Sequence, residues 1–109
     1  MIAGRLDRRV QFTRATLADD GLASSEVWAD YGEAVWASKQ DLRDSEKWRA
    51  GEVAASVTTR FQVRWNSITE TVTPKDRLTC DGREYDIVGV KEIGRREGIE
   101  LTCAARADA

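Results

Sequence analysis

Residues 73–90, TPKDRLTCDGREYDIVGV, narrow the possible folds more than any other stretch. Two extended, partly apolar arms flank the dipeptide Asp81-Gly82. Asp-Gly admits positive φ at both central positions, and that backbone matches the right-handed twist of paired strands. The stretch is therefore a two-residue β-hairpin, with arms over residues 77–80 and 84–90. Pro74 stands ahead of the first arm, where it removes no ladder donor.

The rest of the chain fits around this hairpin as further strands. Over residues 56–65, Val57, Thr59, Phe61, Val63 and Trp65 alternate with Thr58, Arg60, Gln62 and Arg64. That period of two gives one core face and one wet face. Val10 and Phe12 alternate with Arg9 and Gln11 in a first strand over residues 8–16. Residues 27–31 and 34–40 form one bent strand or two short ones, with Gly32 at the break. Residues 66–74 read as a loop, and residues 99–104 as a closing strand after the GRREG turn. The expectation is a mainly β fold: a small antiparallel barrel of about six strands, in one domain spanning residues 1–109.

Residues 41–56 break the pattern. Residues 41–55 carry seven charges, with Asp44 or Ser45 as a helix N-cap and good helix formers behind. Gly51 and the thin apolar spacing make a weak helix inside a long excursion. Trp48 sits there among Arg43, Lys47 and Arg49. Burial of that indole within a single subunit is hard to arrange, so Trp48 and its basic neighbours are candidate intermolecular contacts. Trp36 and Trp65, by contrast, are read as core, and Trp28 as intermediate.

Charge is spread unevenly. Arg5, Arg8, Arg9 and Arg14 face only Asp7 in the first fourteen residues, while residues 19–33 hold acids and no bases. Arg8 and Arg9 are thus candidates for contact with an acidic surface or DNA, and so are Arg95 and Arg96 at the last turn. A formal net charge of −2 gives little drive for non-specific DNA binding. An ion pair between Asp76 and Arg77 is expected to fix the start of the hairpin.

Little in the sequence offers chemistry. There is no histidine, the commonest general base, and no nucleophile elbow or phosphate-cradling loop. No catalytic residue, cofactor or metal site is assigned. Cys80 and Cys103 without a histidine make no zinc site. They are expected to be reduced, structural thiols, with their segments candidates to lie side by side. No apolar run approaches the ~20 residues that span a bilayer, and the N-terminus lacks the apolar core of a signal peptide. A cytosolic origin and no membrane partner are expected.

The order of these pieces resembles a known family. GRLDRRVQFTR is followed by a DDG turn, Val27-Trp28, VWAS at residues 35–38, TTRFQVRW, the hairpin TPKDRLTCDGREYDIVGV and a final IELTC. In that order they are similar to the bacteriophage head-tail joining, or head closure, family. The resemblance implies a small β-barrel with a long internal loop facing neighbouring subunits. It implies assembly as a homo-oligomeric ring beneath the portal and its adaptor protein, which closes the filled head. Tail or stopper/terminator proteins would dock on the other side, and DNA would pass through the channel without specific binding. The same family occurs in gene transfer agents. Either setting places the chain in a virion or phage-like particle assembled in the host cytoplasm.

A second reading is a small β-barrel nucleic-acid-binding module of the OB or SH3-like kind. It requires exposed aromatics interleaved with bases on one strand face. Phe61, Val63 and Trp65 share one face while Arg60 and Arg64 take the other, which suits a core face and a polar face better.

Overall fold

Seven strands alternate along the chain in the computed structural model, which describes residues 5–19, 21, 24–42 and 58–106. They are β1 (Arg8–Asp19), β2 (Ser24–Asp30), β3 (Val35–Asp41), β4 (Thr59–Arg64), β5 (Arg77–Cys80), β6 (Arg83–Ile93) and β7 (Gly98–Ala105). All pairings are antiparallel. Six strands close on themselves in the order β1-β3-β4-β7-β6-β5, with β1 pairing β5 to complete the barrel. Helix among the described residues is limited to a 3-10 turn, Thr69–Thr71. The expected helix near residues 44–55 lies outside them.

The seventh strand, β2, is an addition to the expected barrel. One side of β1 pairs with β3 over Arg8–Val10 and with β2 over Thr13–Asp19, and its other side pairs with β5 over Val10–Thr13. β2 and β3 therefore follow one another along a single edge of β1. They are separated at Gly32, whose φ is +72°, and Tyr31 N–H still donates to Phe12 O across the break. Both readings of residues 27–40 capture part of this: the line is continuous, and the strand is interrupted. Beyond Thr13, six residues of β1 pair with β2 alone. The result is a two-stranded arm reaching about 20 Å past the barrel at roughly 3.3 Å per residue.

The core follows from alternation. Val10 and Phe12 on β1, Ala37 on β3, Phe61 and Val63 on β4, Leu78 and Cys80 on β5, and Leu101 and Cys103 on β7 are all fully or almost fully buried. Phe61 meets Tyr85 of β6 edge to face, with centroids 5.1 Å apart. β6 departs from strict alternation because its register slips between Ile87 and Gly89. That bulge at Val88 resets the parity, so Ile87 and Val90, three apart, both pack on the core. The Asp81-Gly82 turn has φ of +54° and +76°, the two positive values that the dipeptide predicts, and it joins Cys80 directly to Arg83.

The cysteines require one correction. Both are buried and free, but they are not cross-strand neighbours. Cys80 faces Val10 and Arg83, Cys103 faces Thr59 and Ile87, and β6 runs between them. Burial pushes both thiols up, Cys103 strongly.

Candidate functional site

The barrel register sorts the candidate residues onto two ends, one wall and the arm. The first end holds the Asp81-Gly82 turn and the feet of the charged excursion. Asp41 pairs with Thr59, and Leu42 N–H donates to Thr58 O at 2.9 Å, so the excursion leaves and re-enters through a closed backbone pair. Trp48, Arg43, Lys47 and Arg49 lie outside the described residues. Arg8 belongs to this end: its Nη1 stands 2.9 Å from Asp81 Oδ2, with both side chains about half exposed. A pair so exposed contributes at most about 1 kcal/mol, but it ties the start of β1 to the hairpin turn.

The opposite end carries the β6–β7 turn. Arg95 and Arg96 are exposed there. Arg96 adopts φ +58° and lays its guanidinium over the Trp65 ring, 5.2 Å from the centroid. Trp65 is half-buried against the core, close to the core assignment made from its alternation. Arg95 and Arg96 are thus remote from Arg8 and from the excursion's feet at Asp41 and Thr58, so the described candidates do not gather into one site.

Arg9 lies on the outer wall. It pairs with Trp36 across β1 and β3, and its guanidinium sits 4.8 Å from the centre of that indole. Trp36 is 53% exposed, which corrects its assignment to the core. Val35 and Ala37 turn inward on either side of it, so a two-residue period drives Trp36 outward. The size of the side chain misled where the alternation did not. On β4, Arg64 stands one step beyond the Ala37–Val63 pair, on the strand bordering Trp36, and is exposed. Arg9, Trp36 and Arg64 thus form a basic and aromatic row across three strands. Sequence reading missed this row because it joins residues far apart in the chain.

The arm is clasped at its base by two arginine–aromatic stacks. Arg77 lies 3.9 Å from the Trp28 ring centre, and Arg14 lies 3.7 Å from that of Tyr31. Arg14 also holds Asp76 in a two-point bond, Nε to Oδ1 and Nη2 to Oδ2, both at 2.9 Å, and donates to Thr71 O at 2.9 Å. Tyr31 and Thr71 share a hydroxyl–hydroxyl hydrogen bond. The expected Asp76–Arg77 pair is therefore replaced. Asp76 is buried toward Arg14, while Arg77 turns outward to Glu84 and Asp86. Burial raises the Asp76 carboxyl, but the Arg14 bond and the Thr73 N–H outweigh it and hold it below the usual range.

The 3-10 turn beneath this clasp is built by side chains. Asn66 Oδ1 accepts the N–H groups of Ile68 and Thr69 at 2.8 Å each. The buried Thr69 hydroxyl donates to Arg64 O at 2.9 Å. Between this segment and the arm runs an open groove of about 590 Å³, walled by Arg14, Leu17, Trp28, Thr73 and Lys75 among others. Its lining is mixed and its one buried carboxylate is already paired. Among the described residues no three metal-ligating side chains come together, and no helix is long and apolar enough to cross a membrane. What the surface offers is exposed apolar and charged groups suited to contact with macromolecules.

Comparison with known proteins agrees with this topology. The solution structure of protein SF1141 from Shigella flexneri 2a superposes with a TM-score of 0.81 at 23% identity, covering 100% of both chains. A chain from the virion of a native gene transfer agent particle superposes at 0.53 with 24% identity, covering 94% of each. No curated protein matches the sequence. A match over residues 1–106, from the start of the chain through the last barrel strand, establishes that the chain belongs to the phage head completion protein family.

Proposed function

We propose that this chain is a head-closure connector: copies form a ring beneath the portal and its adaptor, seal the filled head and present a surface to the tail or to stopper/terminator proteins. Family membership already makes it a structural component of a phage-type head. The finer reading is carried by the family match over nearly the full chain, on a closed barrel whose two ends differ in chemistry. One end bears the feet of the charged excursion with Arg8 and Asp81. The other bears Arg95, Arg96 and the half-buried Trp65. Two unlike ends suit a component placed between two unlike neighbours. The fold likeness to a chain in a gene transfer agent virion supports a setting in such a particle or in a phage.

In this reading DNA slides through the ring and is not gripped. One observation favours the alternative of a nucleic-acid-binding module: the exposed Trp36 flanked by Arg9 and Arg64 is the kind of contact on which a base can stack. It is one aromatic position, on a chain of net charge −2. Particles produced without the chain separate the readings. A connector predicts packaged heads that lack joined tails, restored when the chain is supplied in trans. Normal tailed particles would refute the connector. Sub-micromolar binding of the purified chain to a short DNA duplex at physiological salt would favour the module.

A further inference from the structure

Among the described residues, the exposed acids of the arm and the exposed arginines of the outer wall carry opposite charge and form no ion pairs. On the arm, Leu17 faces Glu26 and Thr13 faces Asp30 across the β1–β2 ladder. Residues opposite one another in a ladder share a face, and Leu17, Trp28 and the two acids lie on the same outward face by the two-residue period. Leu17 is 74% exposed, and Glu26 and Asp30 are exposed. Neither acid joins any ion pair made among the described residues. Arg9 and Arg64 of the wall join none either; Arg9 stacks on the exposed Trp36 indole, and Arg64 lies across from Trp36 one step beyond the Ala37–Val63 pair.

These patches cannot satisfy one another within one chain. Leu17, opposite Glu26, is eight residues from Arg9 on a continuous strand, and Thr13, opposite Asp30, is four, about 26 Å and 13 Å at roughly 3.3 Å per residue. Both separations exceed the ~8 Å screening length of physiological salt. The arm has a further need for a partner, since an isolated two-stranded ribbon is marginal in water and β2 presents an open edge. Beyond the Arg77–Trp28 and Arg14–Tyr31 clasps, no third strand pairs with it among the described residues.

We infer that the arm of one copy docks on the Arg9–Trp36–Arg64 wall of a second copy, with Glu26 and Asp30 meeting the two arginines and Leu17 covering the indole. The occupant is a second copy because acidic–apolar and basic–aromatic surfaces are both present on this one chain, and no described residue of the chain covers either. The two patches are different, so the contact is heterologous when repeated from copy to copy, and it closes a ring where the rotation allows. The inference rests on the connector reading and adds the surfaces through which neighbouring subunits meet.

Charge exchange tests it in the particle. One chain carries E26K with D30K, a second carries R9E with R64E, and a third carries all four substitutions. Each is supplied in trans to particles lacking the native chain, after circular dichroism confirms that its melt matches that of the native protein. The expected result is a loss of about tenfold or more in completed particles for either half-exchanged chain, the order expected when close interfacial charge pairs are opposed. The fully exchanged chain, in which the pairs are restored with reversed sign, recovers most of the loss. A fully exchanged chain no better than the halves, or halves that behave as native, would overturn the docking. So would binding of a short DNA duplex that R9E with R64E abolishes, because the wall would then be a nucleic-acid surface. If the native chain itself restores nothing, the connector reading fails first, and that outcome is distinct from the others.

Discussion

Asp76 is a buried carboxylate that ties two segments of the fold together. It is 2% exposed, accepts two bonds from Arg14 and one from Thr73 N–H, and so links β1 to the entry of β5. Removing one partner of a buried pair strands the other charge, at a cost of about 3–5 kcal/mol in full burial. Arg14 keeps contact with water, which reduces this, so Asp76→Ala should destabilise by about 2–3 kcal/mol in urea titration. The carboxyl is held below its ordinary value, so its contribution is complete above the unfolded value near pH 4 and is lost as pH falls through the folded one. Melting temperature should therefore fall more steeply below about pH 4 for the native chain than for Asp76→Asn. The cysteines give a second prediction. Cys80 and Cys103 are buried with raised thiols, and a thiolate is the reactive form. Both should be silent to a thiol-reactive dye in the folded protein and react together on unfolding. Rapid labelling under native conditions would show that the barrel opens locally.

Turns test how the strands are joined. Gly82 has φ +76° with open space where a Cβ would stand, whereas a Cβ at Gly32, φ +72°, would lie 2.7 Å from Ile68 Cγ2. Gly82→Ala should cost about 1–2 kcal/mol, the backbone penalty alone, and Gly32→Ala clearly more because Ile68 must also move. Equal losses in urea titration would mean that the β2–β3 break is not held against the 3-10 turn. The hairpin was legible in the sequence because Asp-Gly dictates local backbone whatever surrounds it. β4 was legible because Phe61 and Val63 alternate cleanly with Gln62 and Arg64. What escaped was set by distant partners. The bulge at Val88 hides in the uncharged run IVGV, where both parities look alike. The continuity of β2 and β3 depends on which edge of β1 they share. Asp76 chose Arg14, remote in sequence, over its neighbour Arg77, a choice made by burial. Of the candidate interaction residues, alternation alone puts Arg9 on the outside, while its partner Trp36 was misjudged by size.

The assembled protein is a closed barrel with an outboard arm, and closure removes the edges of the six barrel strands, leaving the edge of β2 open. The surfaces proposed to act are the ends, the wall, the arm and the excursion at residues 41–56. Trp48→Ala in that excursion is expected to leave the melt of the isolated chain nearly unchanged while reducing completed particles in complementation. Unfolding of the isolated chain by that substitution would make Trp48 a core residue instead. The connector reading itself is tested most directly by capture of the purified chain on the portal-adaptor assembly of its own particle, followed by electron microscopy of the captured complex. The prediction is saturable binding with copies arranged as a ring around the portal axis, unaffected by nuclease treatment. Failure to bind that assembly, or binding that nuclease abolishes, would contradict it.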